Sequence, residues 1–371
     1  MRILYFTRAD SVHDQRFMAA LAESGHEGFV LRLLPGEYPT PSGIKVVEWS
    51  GSKNHLTEND IPRLTQELYE VLKAVQPDLV HAGPLQDLAF LVARTGFKPL
   101  LSMSWGFDLM HDVLVSPDAA EKARFALGHS ARLITDAHCS AAQVVGLGFD
   151  PEKICIFPWG VDLAHFTPAS ARVRGTVWRE RQGWGDKHVL LCLRSWEPNY
   201  GVDVLLQAFV EAAQKDDGLR LILLRDGSQR EVLLSILEEG KVNDKVFLGG
   251  RVPNQDLITY YGAADIYVTP SHVDGSSVSL MEAMACALPT IASDIPANAE
   301  WIAEGQTGWL FPNGDHHALA DLLLQTLSSD LSAVGKRARK IAEKRADWQQ
   351  NKQLLFLCWE QALTSSKGAS Q

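Results

Sequence analysis

The chain has 371 residues, 46% hydrophobic and 22% charged, the balance of an ordinary globular protein. That length suits two domains with separate cores, and a net charge of −10 argues against general affinity for nucleic acid. Five scattered cysteines (139, 155, 192, 286 and 358) form no CxxC pair and no zinc-spaced cluster with histidine, so a reducing compartment and no structural metal are expected.

The first residues, Met1-Arg2-Ile3-Leu4-Tyr5-Phe6-Thr7-Arg8, read as a short strand, not as the apolar core of a signal peptide. No run of about 18 apolar residues is present, so membrane contact is expected to be peripheral at most. Strands are predicted over 3–6, 28–34, 45–49, 79–82, 99–102, 133–135 and 154–157. Amphipathic helices are predicted between several of them, over 16–24, 61–75, 87–95 and 141–146. A linker is predicted near Phe166-Thr167-Pro168-Ala169-Ser170-Ala171. The rhythm then restarts, with strands at 189–193, 219–224, 245–248, 266–269, 290–292 and 309–311, helices at 331–344 and 348–363, and a frayed polar tail over 364–371. This βαβ alternation predicts an α/β protein of two doubly wound, Rossmann-like domains facing each other across a cleft. The expected divisions are 1–168, 169–345 and a terminal helix and tail, 346–371, that returns to the first domain.

The segment Ser271-His272-Val273-Asp274-Gly275-Ser276-Ser277-Val278 carries the most chemistry. It follows an apolar strand ending at Pro270 and opens a helix near Val278. A helix N-terminus presents unpaired N–H groups and positive potential, so Gly275, Ser276, Ser277 and Val278 can cradle a phosphate. Asp274 and Glu282 bracket that cradle. An anion site flanked by acids suits a diphosphate with hydroxyl-bearing sugars on both sides, as in a nucleotide-sugar.

An ordered set of phrases resembles the GT4 group of GT-B glycosyltransferases. It comprises Gly160-Val161-Asp162…Phe166-Thr167-Pro168, Arg194…Gly201-Val202-Asp203, Asp226-Gly227-Ser228, Phe247-Leu248-Gly249-Gly250-Arg251-Val252, the 264–286 segment and Gly305-Gln306-Thr307-Gly308. The likeness is dense from about Asp150 to Ala320 and looser in the first domain. It implies a retaining glycosyltransferase using a nucleotide-diphosphate sugar, UDP- or GDP-linked, with no metal and no cofactor beyond that co-substrate. The family's signature is two glutamates separated by seven residues. Here Glu282 is the second, implied to bind the donor ribose, and Asp274 replaces the first, beside the transferred sugar. Helix-terminal acid and turn-forming aspartate are the plainer readings of these two residues.

The likeness also implies that Arg194 binds the diphosphate and stabilises charge on the leaving group. The companion lysine expected six residues on is replaced by Tyr200. Arg225, where relatives carry glycine, is either its substitute or a solvated loop arginine. Arg251 and Val252 are expected at the nucleobase loop. In the first domain, Asp108 is expected at the acceptor or transferred sugar, with His13, Asp14 and His111 as further acceptor candidates; Asp14 equally suits a helix cap. Trp159, Trp184 and Trp196 either stack on sugars or fill core. The first 165 residues hold 14 basic and 20 acidic side chains, an acidic surface without a basic membrane-docking helix. The implied partners are the donor and a hydroxyl acceptor in polysaccharide, glycolipid or glycoconjugate synthesis, in the cytoplasm or at the inner membrane face. Oligomeric state is silent. Two alternatives stay open: a non-catalytic nucleotide-sugar binder, or another GT-B enzyme such as a nucleotide-sugar 2-epimerase. A plain dehydrogenase is disfavoured because no GxGxxG follows the first strand.

Overall fold

The computed structural model describes residues 1–8, 11–36, 39–51 and 57–368, with the side chains of 12 and 365–368 left aside. The chain forms two compact units, Met1–Trp159 with Gln349–Gln371, and Gly160–Trp348. The first contains β1 (Arg2–Thr7), β2 (Glu27–Arg32), β3 (Ile44–Val46), β4 (Leu79–Ala82), β5 (Leu100–Met103), β6 (Ser130–Thr135) and β7 (Ile154–Ile156). The second contains β8 (His188–Cys192), β9 (Leu219–Leu224), β10 (Val246–Gly250), β11 (Ile266–Thr269), β12 (Thr290–Ser293) and β13 (Gly308–Phe311). Both sheets are wholly parallel. Their interior strands are apolar on both faces because helices cover both; all four residues of β4 and of β11 are buried.

Strand order is β3-β2-β1-β4-β5-β6-β7 in the first sheet and β10-β9-β8-β11-β12-β13 in the second. The direction of winding therefore reverses between β1 and β4, and again between β8 and β11. Crossover connections leave a crevice at such reversals, beyond the strand C-termini. The first crevice is bounded by the segments after Thr7 and Ala82, the second by those after Cys192 and Thr269.

The first crossing between units lies at Trp159/Gly160, ahead of the expected 168/169. The segment expected as a linker is ordered structure. Thr167 caps the helix Pro168–Gln182 by accepting from the Ser170 amide, Pro168 opens it, and Phe166 is 2% exposed in the second core. The second crossing, at Trp348/Gln349, is tied to the first. Val161 donates its amide to the Ala346 carbonyl at 2.6 Å and accepts from the Trp348 amide at 3.1 Å. The incoming and outgoing chains thus run side by side.

The terminal helix, Trp348–Gly368, belongs to the first unit from Gln349 onward. It is held by Lys352–Glu23 at 2.6 Å, by the Asn351 amide on the Pro158 carbonyl at 2.9 Å, and by buried Trp359, whose indole N–H donates to His81 Nδ1 at 3.4 Å. Burial lowers the His81 pKa to about 3, which keeps the ring neutral and able to accept. The helix occupies much of the stretch expected to fray; residues 369–371 lie outside the described residues.

Two helices of the second unit, Pro168–Gln182 and Leu257–Ala263, meet through glycines. A Cβ on Gly262 would overlap the Ala171 carbonyl, and one on Gly175 the Gly262 carbonyl. Helix propensity alone favours Gly262→Ala by up to about 1 kcal/mol, but steric overlap in a closed interface costs about 1–3 kcal/mol. We therefore expect Gly262→Ala to lower the urea midpoint of the protein, against the propensity trend.

Candidate functional site

All six strands of the second sheet end on one edge, so the residues just beyond them are neighbours. Arg194 follows β8, Arg225 follows β9, Gly250 closes β10 and Arg251 comes next, and the 270–277 turn follows β11. This gathers residues expected at the donor site, which the sequence spreads over nearly ninety positions.

Arg194 is the centre of the group. It is 9% exposed, and its Nη2 lies 2.9 Å from Asp274 Oδ2. Its Nη1 donates to Ser277 Oγ at 2.9 Å, and its Cζ lies 4.1 Å from the centroid of the Tyr200 ring. Tyr200, standing where a lysine was expected, therefore supplies a face for the guanidinium to stack on and no second charge. Burial opposes the arginine's charge, but adjacent Asp274 more than compensates and raises its pKa, so it stays protonated. Burial pushes the Asp274 carboxyl above its ordinary value, while Arg194 and the Gly275 amide pull it back. Arg194 Nε is buried without a hydrogen-bond partner among the described residues.

Ser277 is the N-cap of the helix Val278–Ala285 but gives that helix no side-chain cap bond. Its hydroxyl is 3.2 Å from Ser279 Oγ, which accepts from Tyr267 O–H at 2.7 Å. A hydroxyl chain thus runs from buried Tyr267 to Arg194. The first-turn amides of this helix have no partners within the helix, as at any helix start. Gly275 donates its amide to Asp274 Oδ1 at 3.1 Å, and Ser276 Oγ accepts from the Trp301 indole at 3.2 Å. The Asn199–Gly201 loop packs against the same turn. The His272 amide donates to the Asn199 carbonyl at 2.9 Å, and Gly201, at φ +59°, approaches the Pro270 carbonyl too closely for any Cβ. That contact sets Tyr200 over Arg194.

Glu282 is 2% exposed one turn into the helix. Its carboxylate accepts from Asn254 Nδ2 at 3.0 Å and from Tyr261 O–H at 2.8 Å. Burial and the adjacent glutamate raise the Tyr261 pKa, so the phenol remains a donor. Sequence reasoning singled out Glu282 but neither partner. Asn254 and Tyr261 lie 28 and 21 residues away and carry no motif. Arg251 is exposed, and Val252 packs on the second core.

The first-unit candidates separate. Asp108, expected at the acceptor or transferred sugar, is 0% exposed. Its carboxylate accepts from the Leu85, Trp105 and Leu109 amides and from the Ser104 hydroxyl, which ties the segment after β5 to that after β4. Burial raises its pKa to about 6 against the pull of those donors. Asp14 is likewise buried and forms a reciprocal capping box with Ser11, and it also accepts from Tyr5 and Thr7. It nonetheless lines a cavity of about 170 Å³ at the first sheet's reversal, with Thr7, Arg8, Ser11, Trp105 and Phe107. His13 packs its ring on Trp105 at 5.7 Å. His111 is half exposed and bonded to Asp112 at 3.0 Å, and it does not line that cavity. In the loop around these candidates, Ala9 and Asp10 lie outside the described residues. Trp159, Trp184 and Trp196 are 3%, 8% and 2% exposed and fill core.

Two features lie apart from this chemistry. A cavity of about 1000 Å³ sits at the opposite edge of the second sheet, beside Asp265 and Pro289. Glu211, His316 and His317, invisible to a spacing search, come within 4.8 Å of one another on that unit's surface.

Residues 176–353 match the family described as Glycosyl transferases group 1, and residues 2–136 match Glycosyl transferase 4-like. A mannosyltransferase of Mycolicibacterium smegmatis, named as GDP-mannose-dependent and acting on phosphatidylinositol monomannoside, is 26% identical over 276 residues. That alignment covers 72% of this chain and 69% of the relative. A D-inositol 3-phosphate glycosyltransferase of Pseudarthrobacter chlorophenolicus is 27% identical, covering 83% and 79%. Among solved structures, sucrose-phosphate synthase of Thermosynechococcus elongatus superposes with a TM-score of 0.79 at 17% identity, covering 98% of this chain and 100% of that one. HepE of Anabaena with UDP and glucose superposes at 0.76 and 18%, covering 96% and 98%.

Removing one partner of a buried ion pair leaves the other uncompensated, at about 3–5 kcal/mol. Asp274→Ala is therefore expected to destabilise the protein by about 3 kcal/mol in urea titration, and Asp274→Glu, which keeps the charge, by clearly less.

Proposed function

Since the chain belongs to the group 1, GT4-like glycosyltransferases of GT-B fold, we propose that it moves a sugar, with retention of configuration, from a UDP- or GDP-sugar to a hydroxyl acceptor in glycoconjugate synthesis. Nucleotide-sugar glycosyl transfer is the property of the family; the course of the reaction, the donor and the acceptor class are our reading. The observation that carries it is Arg194. A buried guanidinium with an N–H unpartnered among the described residues, bonded to the N-cap serine of a helix at the sheet's reversal point, supports a phosphate there.

In this reading the first-turn amides of Val278–Ala285 and the Arg194 guanidinium hold the diphosphate. Glu282, fixed by Asn254 and Tyr261, accepts from the donor's ribose hydroxyls. Asp274 lies where the transferred sugar begins and keeps Arg194 in place. As the bond from the anomeric carbon to the phosphate oxygen breaks, negative charge grows on the leaving diphosphate. Preorganised donors aimed at that charge lower the barrier without reorganising. The acceptor oxygen bonds to the anomeric carbon from the same face, and its proton passes to a leaving phosphate oxygen. The Arg194 guanidinium and the helix N-terminus face that charge without a metal in this reading, so the reaction is expected to proceed in EDTA.

The test is binding and turnover with UDP-, GDP- and ADP-sugars. One donor should raise the melting temperature and be turned over, with the product anomer matching the donor by NMR and no loss in EDTA. Glu282→Gln should weaken that donor by about tenfold, the worth of one charged hydrogen bond. An inverted anomer would overturn the retaining course, and binding without turnover on any acceptor would point to a non-catalytic binder. No thermal shift with any donor would end the reading.

A second expectation concerns the positive charge at the centre. Arg194→Lys keeps the charge but loses the fork that reaches both Asp274 and Ser277. We expect turnover to fall by at least tenfold, with a smaller change in donor affinity, because the lost contact matters most when leaving-group charge is greatest.

A further inference from the structure

We propose that Arg225 is the second cation of the donor diphosphate site, supplied by the neighbouring strand end. This inference rests on the nucleotide-sugar reading above. It starts from a charge count. Arg194 is paired at 2.9 Å with Asp274, and Tyr200 contributes only a ring, so the centre holds no net side-chain charge. A nucleoside diphosphate leaves with at least two negative charges. The partial charge of one helix terminus, about half a unit, does not balance that.

Arg225 is placed to make up the difference. The β8–β9 register pairs Leu191 with Ile222 and Cys192 with Leu223. Continued two residues further, it sets Arg194 level with Arg225, one strand spacing away, about 4.8 Å. Contacts beyond the strands keep that alignment. The Trp196 indole donates to the Leu224 carbonyl and the Trp196 amide to the Asp226 carbonyl, both at 3.1 Å, bracketing Arg225. On the other side the Arg225 amide donates to the Gly250 carbonyl at 2.6 Å. The residue is thus gripped from β8 and from β10.

Its conformation points the same way. Arg225 sits at φ +75°, where a Cβ is strained and glycine is the easy occupant. A long charged side chain held in that region needs a reason, and such outliers gather at functional sites. The residue is half-buried, and its guanidinium has no acid or carbonyl partner among the described residues. The nearest acid in sequence, Asp226, is taken by Arg230 at 3.0 Å. Arg225 is therefore a cation without a counter-charge, one strand from a phosphate site that lacks one.

The test compares Arg225→Gly, Arg225→Gln and Arg225→Lys with the unmodified protein, using UDP and GDP in calorimetry. Arg225→Gly relaxes the backbone, so its melting temperature should equal or exceed the parent's. Its affinity for the preferred nucleoside diphosphate should still fall by about tenfold or more, as for a lost charge-assisted bond. Affinity for the matching nucleoside should stay within about twofold, because the lost contact is to phosphate alone. Arg225→Gln should behave like the glycine variant, and Arg225→Lys should recover most of the binding. The dependence of UDP or GDP affinity on salt should flatten in the glycine and glutamine variants. If Arg225→Gly binds the diphosphate as the parent does, while Arg194→Ala does not, the role of Arg225 is overturned and the donor reading stands. If the parent binds neither UDP nor GDP, both fall together.

Discussion

A buried guanidinium must have its charge answered, and in the second unit that requirement organises the site. Arg194 draws Asp274 from the turn after β11, Ser277 from the start of the next helix, and the Tyr200 ring from its own loop. Each partner is then secured in turn: Asp274 by the Gly275 amide, Ser277 through Ser279 to Tyr267, and Tyr200 by the close approach at Gly201. An ion pair so enclosed adds little net stability, since desolvation consumes most of its attraction. Its value lies in fixing geometry. A cation held in a rigid shell at a helix terminus is ready for an anion before the anion arrives.

The two units use the same topological device for different ends. Reversal of strand order opens a crevice after β1 and β4 in one, and after β8 and β11 in the other. In the second unit the crevice carries a cation, hydroxyls and a helix N-terminus. In the first, the acids are spent on structure: Asp14 closes a helix start and Asp108 knots two loops. What remains there is a small cavity walled by Trp105 and Phe107 with Arg8 at its edge. Aromatic walls suit the apolar face of a sugar or a similar ring, whereas an acid locked into four hydrogen bonds is a poor contact for any ligand.

Much of this was legible from residue order. Apolar runs of three to seven residues separated by helical periodicity located the strands among the described residues, because interior parallel strands buried on both faces leave an unbroken hydrophobic signal. The turn from Pro270 to Val278 announced itself through its small polar residues, and Arg194 and Glu282 through their places in recurring phrases. What residue order left open has one cause. The linker expected at 166–171 is polar and holds a proline, yet Thr167 and Pro168 are a helix start. Asp108 follows a strand beside a glycine, as a ligand-binding acid would, yet four donors converge on it. A polar residue near a turn reads alike whether it faces water, a ligand or its own backbone.

What the sequence by itself determined is therefore the list of elements, their parallel arrangement, and a donor-type phrase with an arginine, an aspartate and a glutamate in order. Tertiary structure decided which of those charges are spent. It showed that Arg194 is neutralised by Asp274, that Tyr200 stacks where a second cation was expected, and that Glu282 is held by Asn254 and Tyr261. It also placed Arg225 at the adjoining strand end, with no acid partner among the described residues. The reason is physical: strand order along a sheet differs from order along the chain. Whether a charge has a partner depends on distances of a few ångströms, which only the folded edge establishes.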